Sequence, residues 1–162
     1  MIVRPARPED ADALWSMFWE VIEGGDTYVF DESTTREEAL EYWMGGDAQC
    51  FVAEEDGMVC GAHLLRPNRP GRGSHIGNAS FMVSRQARGK GVGEILGRHC
   101  INEATRQGFK GIQFNFVVST NLAAVKLWQK LGWRIIGTTP GGFLHRTLGA
   151  VDVYSMYRAL GQ

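Results

Sequence analysis

The feature that most constrains the fold is a run of alternating glycines between an apolar segment and an amphipathic one. This run reads Arg88-Gly89-Lys90-Gly91-Val92-Gly93. Residues 76–83 before it have the composition of a strand, and the residues after it place apolar side chains four apart on one helix face, to about residue 107. Glycine has no Cβ, so this backbone can bend tightly and approach a ligand closely. The sequence therefore predicts a strand, a tight loop and a helix in succession.

The start of that helix has the properties of an anion site. The first turn of a helix presents unpaired N–H groups and the positive end of the helix dipole, which suits a pyrophosphate. Arg88 and Lys90 add positive charge to the same loop. The alternative is a flexible glycine turn that binds nothing.

Two common nucleotide motifs do not fit this loop. A P-loop needs Ser or Thr after its lysine, and Lys90 is followed by Gly91. A dinucleotide fingerprint counted from Gly91 puts Leu96 where a third small residue is required, and Gly111 where an acidic residue is expected.

The rest of the chain predicts an α/β fold with a mixed sheet. The expected order is one strand, two helices, three strands, a helix, a strand, a helix and two strands. The second helix is expected to begin at Thr34 with Glu37 as its capping partner, and Asp56-Gly57 to turn a hairpin. The last two strands are expected at 133–138 and 151–158, separated by a glycine-rich loop. At this length we expect a single domain over residues 1–162.

Composition excludes several classes of protein. The net charge of −1 shows no basic excess for nucleic acid, and the apolar runs fall far short of the roughly 20 residues that span a membrane. The scattered cysteines lack a CxxC pair, which predicts reduced thiols in the cytoplasm. The histidines lack metal spacing, so we expect no metal site. By default we expect the histidines to lie at the surface or in loops, with His75 as a possible base. The residues concerned are Cys50, Cys60, Cys100, His63, His75, His99 and His145.

Two segments together resemble the GCN5-related N-acetyltransferase (GNAT) family. The first is R-x-x-G-x-G after a strand, formed by Arg88, Gly91 and Gly93. The second, residues 121–133, is similar to the family's N-x-x-A-x-x-L-Y-x-K-L-G-F signature. The resemblance implies a mixed, mostly antiparallel sheet of about seven strands with a splayed parallel pair, flanked by about four helices. It also implies acetyl-CoA as cosubstrate.

The resemblance assigns roles to particular residues. The strands at 76–83 and 111–118 would splay, and the pantetheine arm would lie in the gap against the backbone of Met82 and Val83. Their N–H groups would also stabilise the oxyanion of the transfer step. Asn121 would hold the pantetheine region and could hydrogen-bond the leaving thiolate; its alternative role is a helix cap near Ser119 and Thr120. The pyrophosphate would be cradled by Arg88, Gly89, Lys90, Gly91, Val92 and Gly93.

The chain departs from the family pattern at Trp128. The family often has a tyrosine there that protonates the coenzyme A thiolate, whereas an indole N–H is no practical proton source. The general acid is therefore unassigned, with Tyr154 and Tyr157 as further candidates. Trp128 is either a substrate contact or simply a packed aromatic.

The acceptor is predicted from what the two central strands carry. Asn78 and Asn115 lie in apolar contexts, so they either line the groove and bind the acceptor or are satisfied core amides. No carboxylate lies in 76–83 to act as a base, which favours an amine that is already neutral. Residues 114–121 also resemble the branch that acetylates proline analogues and other small amino acids.

The sequence thus predicts an N-acetyltransferase that moves acetyl from acetyl-CoA directly to a small amine, an amino acid or an analogue of one. One alternative is acetylation of a protein N-terminus or lysine. Another is a non-catalytic acetyl-CoA-binding sensor or interaction module. A homodimer is possible through aromatic segments around Trp43 and Phe143.

Overall fold

The computed structural model describes residues 1–161. The strands are β1 (Ile2–Pro5), β2 (Gln49–Glu55), β3 (Met58–Pro67), β4 (Ile76–Val83), β5 (Gly111–Val118), β6 (Arg134–His145) and β7 (Gly149–Ala159). The α-helices are α1 (Ala11–Gly24), α2 (Arg36–Met44), α3 (Val92–Arg106) and α4 (Leu122–Lys130). Short 3-10 turns lie at Pro8–Asp10, Gly71–Gly73 and Arg85–Ala87. The order of strands and helices confirms the prediction.

The seven strands form one mixed sheet in the order β1-β2-β3-β4-β5-β7-β6. Every neighbouring pair is antiparallel except β4 and β5, which are parallel. The parallel pairing covers only Ile76 opposite Gly111 and Gly77 opposite Ile112, after which the strands diverge. The structure therefore confirms the predicted mixed sheet with a splayed parallel pair at its centre.

Helices cover both faces of the sheet. Helices α1 and α2 bury Leu14, Phe18 and Trp43 against Val52 and Leu64, which point to one face. The opposite face packs against α3 and α4, with a core that includes Cys100, Ile112, Phe114, Trp128 and Leu131. Side chains alternate between faces along each strand, so the strands contribute to both cores.

Local turn chemistry behaves mostly as the sequence predicts. Asp56 and Gly57 both have positive φ, 51° and 76°, as a tight hairpin turn requires. The capping box of α2 lies one residue later than expected: Thr35 Oγ1 accepts from Glu38 N at 3.2 Å, and Glu38 Oε2 accepts from Thr35 N at 2.8 Å. The predicted pair at Thr34 was therefore wrong by one position.

The glycine-rich loop predicted before the last strand is instead part of a strand. β6 continues to His145, and the hairpin turns only at residues 146–148. Pro140 and the glycines after it form an irregularity, where the register with β7 shifts between Thr139 and Phe143. β6 is an edge strand, and an edge tolerates proline because one side of its backbone needs no partner.

Four further expectations concern Trp43, the cysteines, metal ligands and membrane-spanning helices. Trp43 is only 1% exposed, so it cannot contribute to a surface between two copies of the chain. The cysteines form no disulfide within the described residues. Over the same range no group of three potential metal ligands comes together, and no helix has the length and apolar character needed to cross a membrane.

Candidate active site

The candidate site begins where β4 and β5 separate. Immediately after the last backbone pair, the side chain of Asn78 reaches across and donates through Nδ2 to the carbonyl oxygen of Gln113 at 2.9 Å. A carboxamide thus replaces the backbone donor that a continued ladder would have supplied. This hydrogen bond ends the ladder without leaving the Gln113 carbonyl unpaired.

Pairing with β3 decides which groups of β4 face the gap. Ser84 N donates to Cys60 O at 3.0 Å, and Asn68 N donates to Ile76 O at 2.8 Å. Since bonding alternates along an antiparallel pair, Met82 also turns its N–H and C=O toward β3. The backbone groups of Phe81 and Val83 face the gap instead. The expectation that Met82 N–H faces the gap is therefore wrong, because the N–H groups that face it are those of Phe81 and Val83. What these two groups bind stays a prediction.

The glycine loop follows β4 and begins α3. Gly89 and Gly91 have φ of 75° and 82°, values that strongly favour glycine, and a Cβ on either would meet no atom within 4 Å. Gly91 is the N-cap residue of α3 and supplies no side-chain cap. Gly93 has a different role, since a Cβ there would lie 3.1 Å from Leu127 of α4.

Around these glycines, Arg88 and Lys90 are exposed, whereas the Val92 side chain is buried in the core. Val92 can therefore meet a ligand only through its backbone. The loop leaves open space and uncapped N–H groups at the helix start, as an anion site needs.

A groove of about 230 Å³ lies in the gap between the diverging strands. Its apolar wall includes Phe81, Phe114 and Trp128, and its polar groups include Asn78 and Asn115. Within residues 1–161, none of the side chains that line this groove is an acid, a lysine, an arginine or a histidine. We call it the acceptor groove.

A second groove of about 520 Å³ adjoins the first and contains Val83 and Arg88. We call it the donor groove. The two grooves share Thr27, Tyr28, Phe81 and Asn121. A continuous path therefore runs from the glycine loop, along the free side of β4, to the acceptor groove.

Comparison with known proteins identifies this arrangement. The family described as "Acetyltransferase (GNAT) family" matches residues 12–133, three quarters of the chain. The chain belongs to the GNAT acetyltransferase family. It is an acetyl-CoA-dependent N-acetyltransferase.

Three relatives show how far the similarity extends. A GCN5-related N-acetyltransferase from Kribbella flavida is 47% identical, with a TM-score of 0.94 over 98% of this chain and 97% of that one. The N-acetyltransferase aca1 of Schizosaccharomyces pombe is 33% identical over 82% of this chain and 72% of its own length. A Bacillus subtilis protein, YwnH, provisionally named a phosphinothricin acetyltransferase, is 26% identical over 87% of this chain and 88% of its own.

Within this GNAT site, Asn121 lies where the two grooves meet. It is also the N-cap of α4, and its Oδ1 accepts from Ala124 N at 3.3 Å. Asn121, rather than Ser119 or Thr120, thus caps the helix. Its Nδ2 is the part of the side chain still available to a ligand.

Trp128 is both a packed aromatic and part of the groove wall. It is 7% exposed, with ring centroids 4.5 Å from Phe81, 5.0 Å from Phe114 and 5.7 Å from Trp133. The structure therefore shows a packed aromatic, and the substrate contact of Trp128 stays a prediction that its place in the groove wall allows.

Asn115 was expected in an apolar setting, but it is exposed at the rim of the acceptor groove. Its Nδ2 donates to Asn68 Oδ1 at 2.7 Å, and its Oδ1 accepts from Gln113 Nε2 at 3.2 Å. A bulge in β5 between Phe114 and Val117 turns this part of the strand outward. Asn78 is half-buried. Both amides line the acceptor groove, as the sequence predicts.

Sequence reasoning missed two tyrosines that line the acceptor groove. Tyr42 Oη and Ser80 Oγ are 2.7 Å apart, and Tyr28 Oη donates to the Phe81 carbonyl oxygen at 2.7 Å. Tyr154 and Tyr157, the expected candidates, do not line either groove. The missed pair lies on and before α2, far from both family motifs, so no local signal marked it.

The histidines also differ from expectation. His75 is exposed and lines neither groove, whereas His63 is fully buried on β3. His63 Nε2 lies 2.9 Å from His99 Nδ1, and its ring stacks on Phe51. Burial and, to a smaller extent, the neighbouring His99 lower the pKa of His63 to about 3. This pair is therefore neutral at physiological pH and belongs to the core rather than to the site.

Proposed function

We propose that the protein acetylates the amine of a small molecule, an amino acid or an amino-acid analogue. The observation that carries the proposal is the acceptor groove, which is small and lined only by amide, hydroxyl and apolar groups. Charge cannot hold an acceptor in such a groove, so recognition depends on shape and neutral hydrogen bonds. The provisional name of the Bacillus subtilis relative supports this acceptor class, because phosphinothricin is an amino-acid analogue.

The donor groove suits acetyl-CoA through groups of three kinds. The uncapped N-terminus of α3, with Arg88 and Lys90, would hold the diphosphate. The gap-facing N–H of Val83 would bind the pantetheine arm, and the N–H of Phe81 would face the acyl group. Asn121 Nδ2 would reach the sulfur, at the point shared by the two grooves. This assignment keeps the sequence prediction except for Met82.

The acceptor groove provides donors for a carboxylate or another polar group of the acceptor. Asn78, Asn115 and the hydroxyls of Ser80 and Tyr42 surround its polar side. The aromatic wall around Trp128 would contact the apolar part of the same molecule. Neutral donors bind a carboxylate less strongly than arginine would, so the acetylated product, which keeps that carboxylate, can leave after each turnover.

The amine would react as a free base. No carboxylate or histidine lines the acceptor groove among residues 1–161, and Asp26 and His145 line the adjoining donor groove instead. The α-amino group of a peptide has a pKa near 8 and a lysine side chain near 10.4, so deprotonating lysine at neutral pH costs about 3 kcal/mol more. A free amino acid lies between the two, because its own carboxylate stabilises the ammonium. The groove therefore favours α-amines and other weakly basic amines over protein lysine.

The chemical step follows from these placements. The neutral nitrogen attacks the thioester carbon, and N–H donors of the free side of β4 stabilise the oxyanion. The C–S bond then breaks, its electron pair goes to sulfur, and Asn121 hydrogen-bonds the thiolate. Water takes the proton that the nitrogen loses and returns one to the sulfur.

The test is thiol release from acetyl-CoA against a panel of amino acids, amino-acid analogues, simple amines, N-terminal peptides and lysine peptides. We expect turnover with small α-amines, and a pH profile of kcat/KM whose inflection follows the pKa of each amine. Turnover only with peptides would overturn the acceptor assignment. An inflection at one fixed pH for all amines would reveal an enzyme base that the groove does not show.

Two further parts of the proposal concern the setting of the enzyme. The free cysteines support a reducing, cytoplasmic location. The edge strand β6 is exposed along nearly its whole length and carries Ile135, Ile136 and Leu144 at the surface, so we propose it as the face of a homodimer. Sedimentation velocity of the wild type and of Ile136→Lys tests that face, since the variant should be monomeric.

A further inference from the structure

Tyr28 has an unusual backbone conformation for its residue type. Its φ is +63°, in the left-handed region that bulky side chains rarely adopt. It lies in the loop between α1 and α2 and lines both the donor and the acceptor groove. Strained residues persist only where the surroundings hold them, and they concentrate at functional sites.

Several contacts hold this loop in place. The Tyr28 ring lies 6.3 Å from the ring of Phe18 and 6.4 Å from that of Phe30, centroid to centroid. The hairpin of β6 and β7 fastens both ends of the loop: Arg146 N donates to Gly25 O at 2.9 Å, and the Arg146 side chain pairs with Glu32. The position of Tyr28 at the gap therefore depends on contacts with the β6–β7 hairpin, which is remote in sequence.

The hydroxyl of Tyr28 occupies one specific position on the free side of β4. It donates to the carbonyl oxygen of Phe81, which has no strand partner because β5 has diverged. The N–H of Phe81 also faces the gap and receives no partner from Tyr28. Burial raises the pKa of the phenol well above its usual range, so the hydroxyl remains a donor at physiological pH.

This arrangement biases what Phe81 can bind. With its carbonyl already paired, the group that it presents to a ligand is a hydrogen-bond donor. A donor here suits an oxygen that becomes negative, as the thioester oxygen of acetyl-CoA does during transfer. The hydroxyl of Tyr28 also replaces the missing strand, which keeps the Phe81 backbone from turning.

We propose that Tyr28 is a positioning residue of the transfer step, which fixes the Phe81 backbone so that its N–H meets the acyl oxygen. The inference rests on the proposed function for its substrate, and it adds a residue outside both family motifs. Tyr28 acts through Phe81 and needs no contact of its own with the reacting atoms.

The test compares Tyr28→Phe with Tyr42→Phe. Both changes remove one phenolic oxygen beside the same groove, but Tyr42 bonds the Ser80 side chain instead of a β4 carbonyl. The readout is the infrared carbonyl band of acetyl-CoA labelled with ¹³C at the acyl carbon, bound without acceptor. Wild type should shift this band to lower frequency than in solution, Tyr42→Phe should keep the shift, and Tyr28→Phe should lose at least half of it.

Kinetics give a second readout. For Tyr28→Phe we expect kcat to fall about 10- to 100-fold while the KM for acetyl-CoA stays within twofold. A band shift and kcat equal to wild type in a folded Tyr28→Phe would overturn the positioning role. Wild type that fails to bind the labelled acetyl-CoA at all would instead contradict the donor-groove assignment, so the two failures are distinguishable. Circular dichroism and thermal melting confirm that each variant is folded.

Discussion

Replacing Gly91 by glutamate tests the glycine loop, because the chain offers a matched control. Gly91 and Gly108 have nearly the same φ, 82° and 84°, and a Cβ at either position meets no atom within 4 Å. Gly91 begins α3 and Gly108 follows its end. Each Glu variant therefore incurs the same left-handed backbone cost, about 1–2 kcal/mol, and adds the same charge.

Only Gly91→Glu should weaken the binding of coenzyme A. Two charges at 4 Å interact by about 1 kcal/mol in water and about 4 kcal/mol at a protein surface. For an exposed loop, about 1–2 kcal/mol per phosphate of the diphosphate gives about 2–4 kcal/mol in total. Since about 1.4 kcal/mol is tenfold, we expect affinity to fall roughly 30- to 1,000-fold. Gly108→Glu should bind within about twofold of wild type.

Isothermal titration calorimetry with CoA measures both affinities, and thermal melting measures the stability of both variants. The helix dipole should make the loss of stability somewhat larger for Gly108→Glu, so lower stability cannot explain a CoA defect in Gly91→Glu. The defect of Gly91→Glu should shrink as salt is raised, because the added repulsion is screened. Wild-type affinity in Gly91→Glu, or an equal loss in Gly108→Glu, would refute the placement of the diphosphate.

Three other changes test separate parts of the account. Asn121→Ser keeps a good helix cap, so the melting temperature should hold while kcat falls about tenfold; unchanged kcat would reduce Asn121 to a cap. Asn115→Ala should raise the acceptor KM several-fold and leave the KM for acetyl-CoA unchanged; two unchanged constants would make Asn115 structural. His63 has a folded pKa of about 3, below its unfolded value of 6.5, so the unfolded chain binds the proton first as pH falls. Between pH 6.5 and 5, the free energy of unfolding of wild type, measured by chemical denaturation, should fall by about 2 kcal/mol more than that of His63→Leu. Parallel plots of unfolding free energy against pH for the two proteins would contradict this.

The parts of the fold that the sequence predicts correctly are those determined by residues close together in the chain. The loop glycines predict a tight turn into an uncapped helix start, because both features depend on neighbouring residues only. The bounds of β4 and β5 follow from apolar runs between glycines, and the structure confirms both. The hairpin at Asp56 and the family motif from Asn121 onward are equally local.

Most of the errors share one physical cause, which is dependence on tertiary contacts that the sequence does not display. The one-residue error at the start of α2 is local, since Thr34 and Thr35 both fit the capping pattern. Whether Met82 or Phe81 faces the gap is a question of phase, set by the register with β3. The continuation of β6 past Pro140 depends on its being an edge strand. Tyr28 reaches the site only because a remote hairpin fastens its loop, and His63 is buried by its partner His99.

The most direct test of the account is a crystal structure with acetyl-CoA and a slowly reacting amino-acid analogue. The account predicts the diphosphate on residues 88–93, the pantetheine arm between β4 and β5, and the amine beside Trp128 in the acceptor groove. The acyl oxygen should lie within hydrogen-bond distance of Phe81 N–H. Phosphates bound elsewhere, or an acceptor outside the gap, would contradict the claim that this break in the sheet joins donor and acceptor.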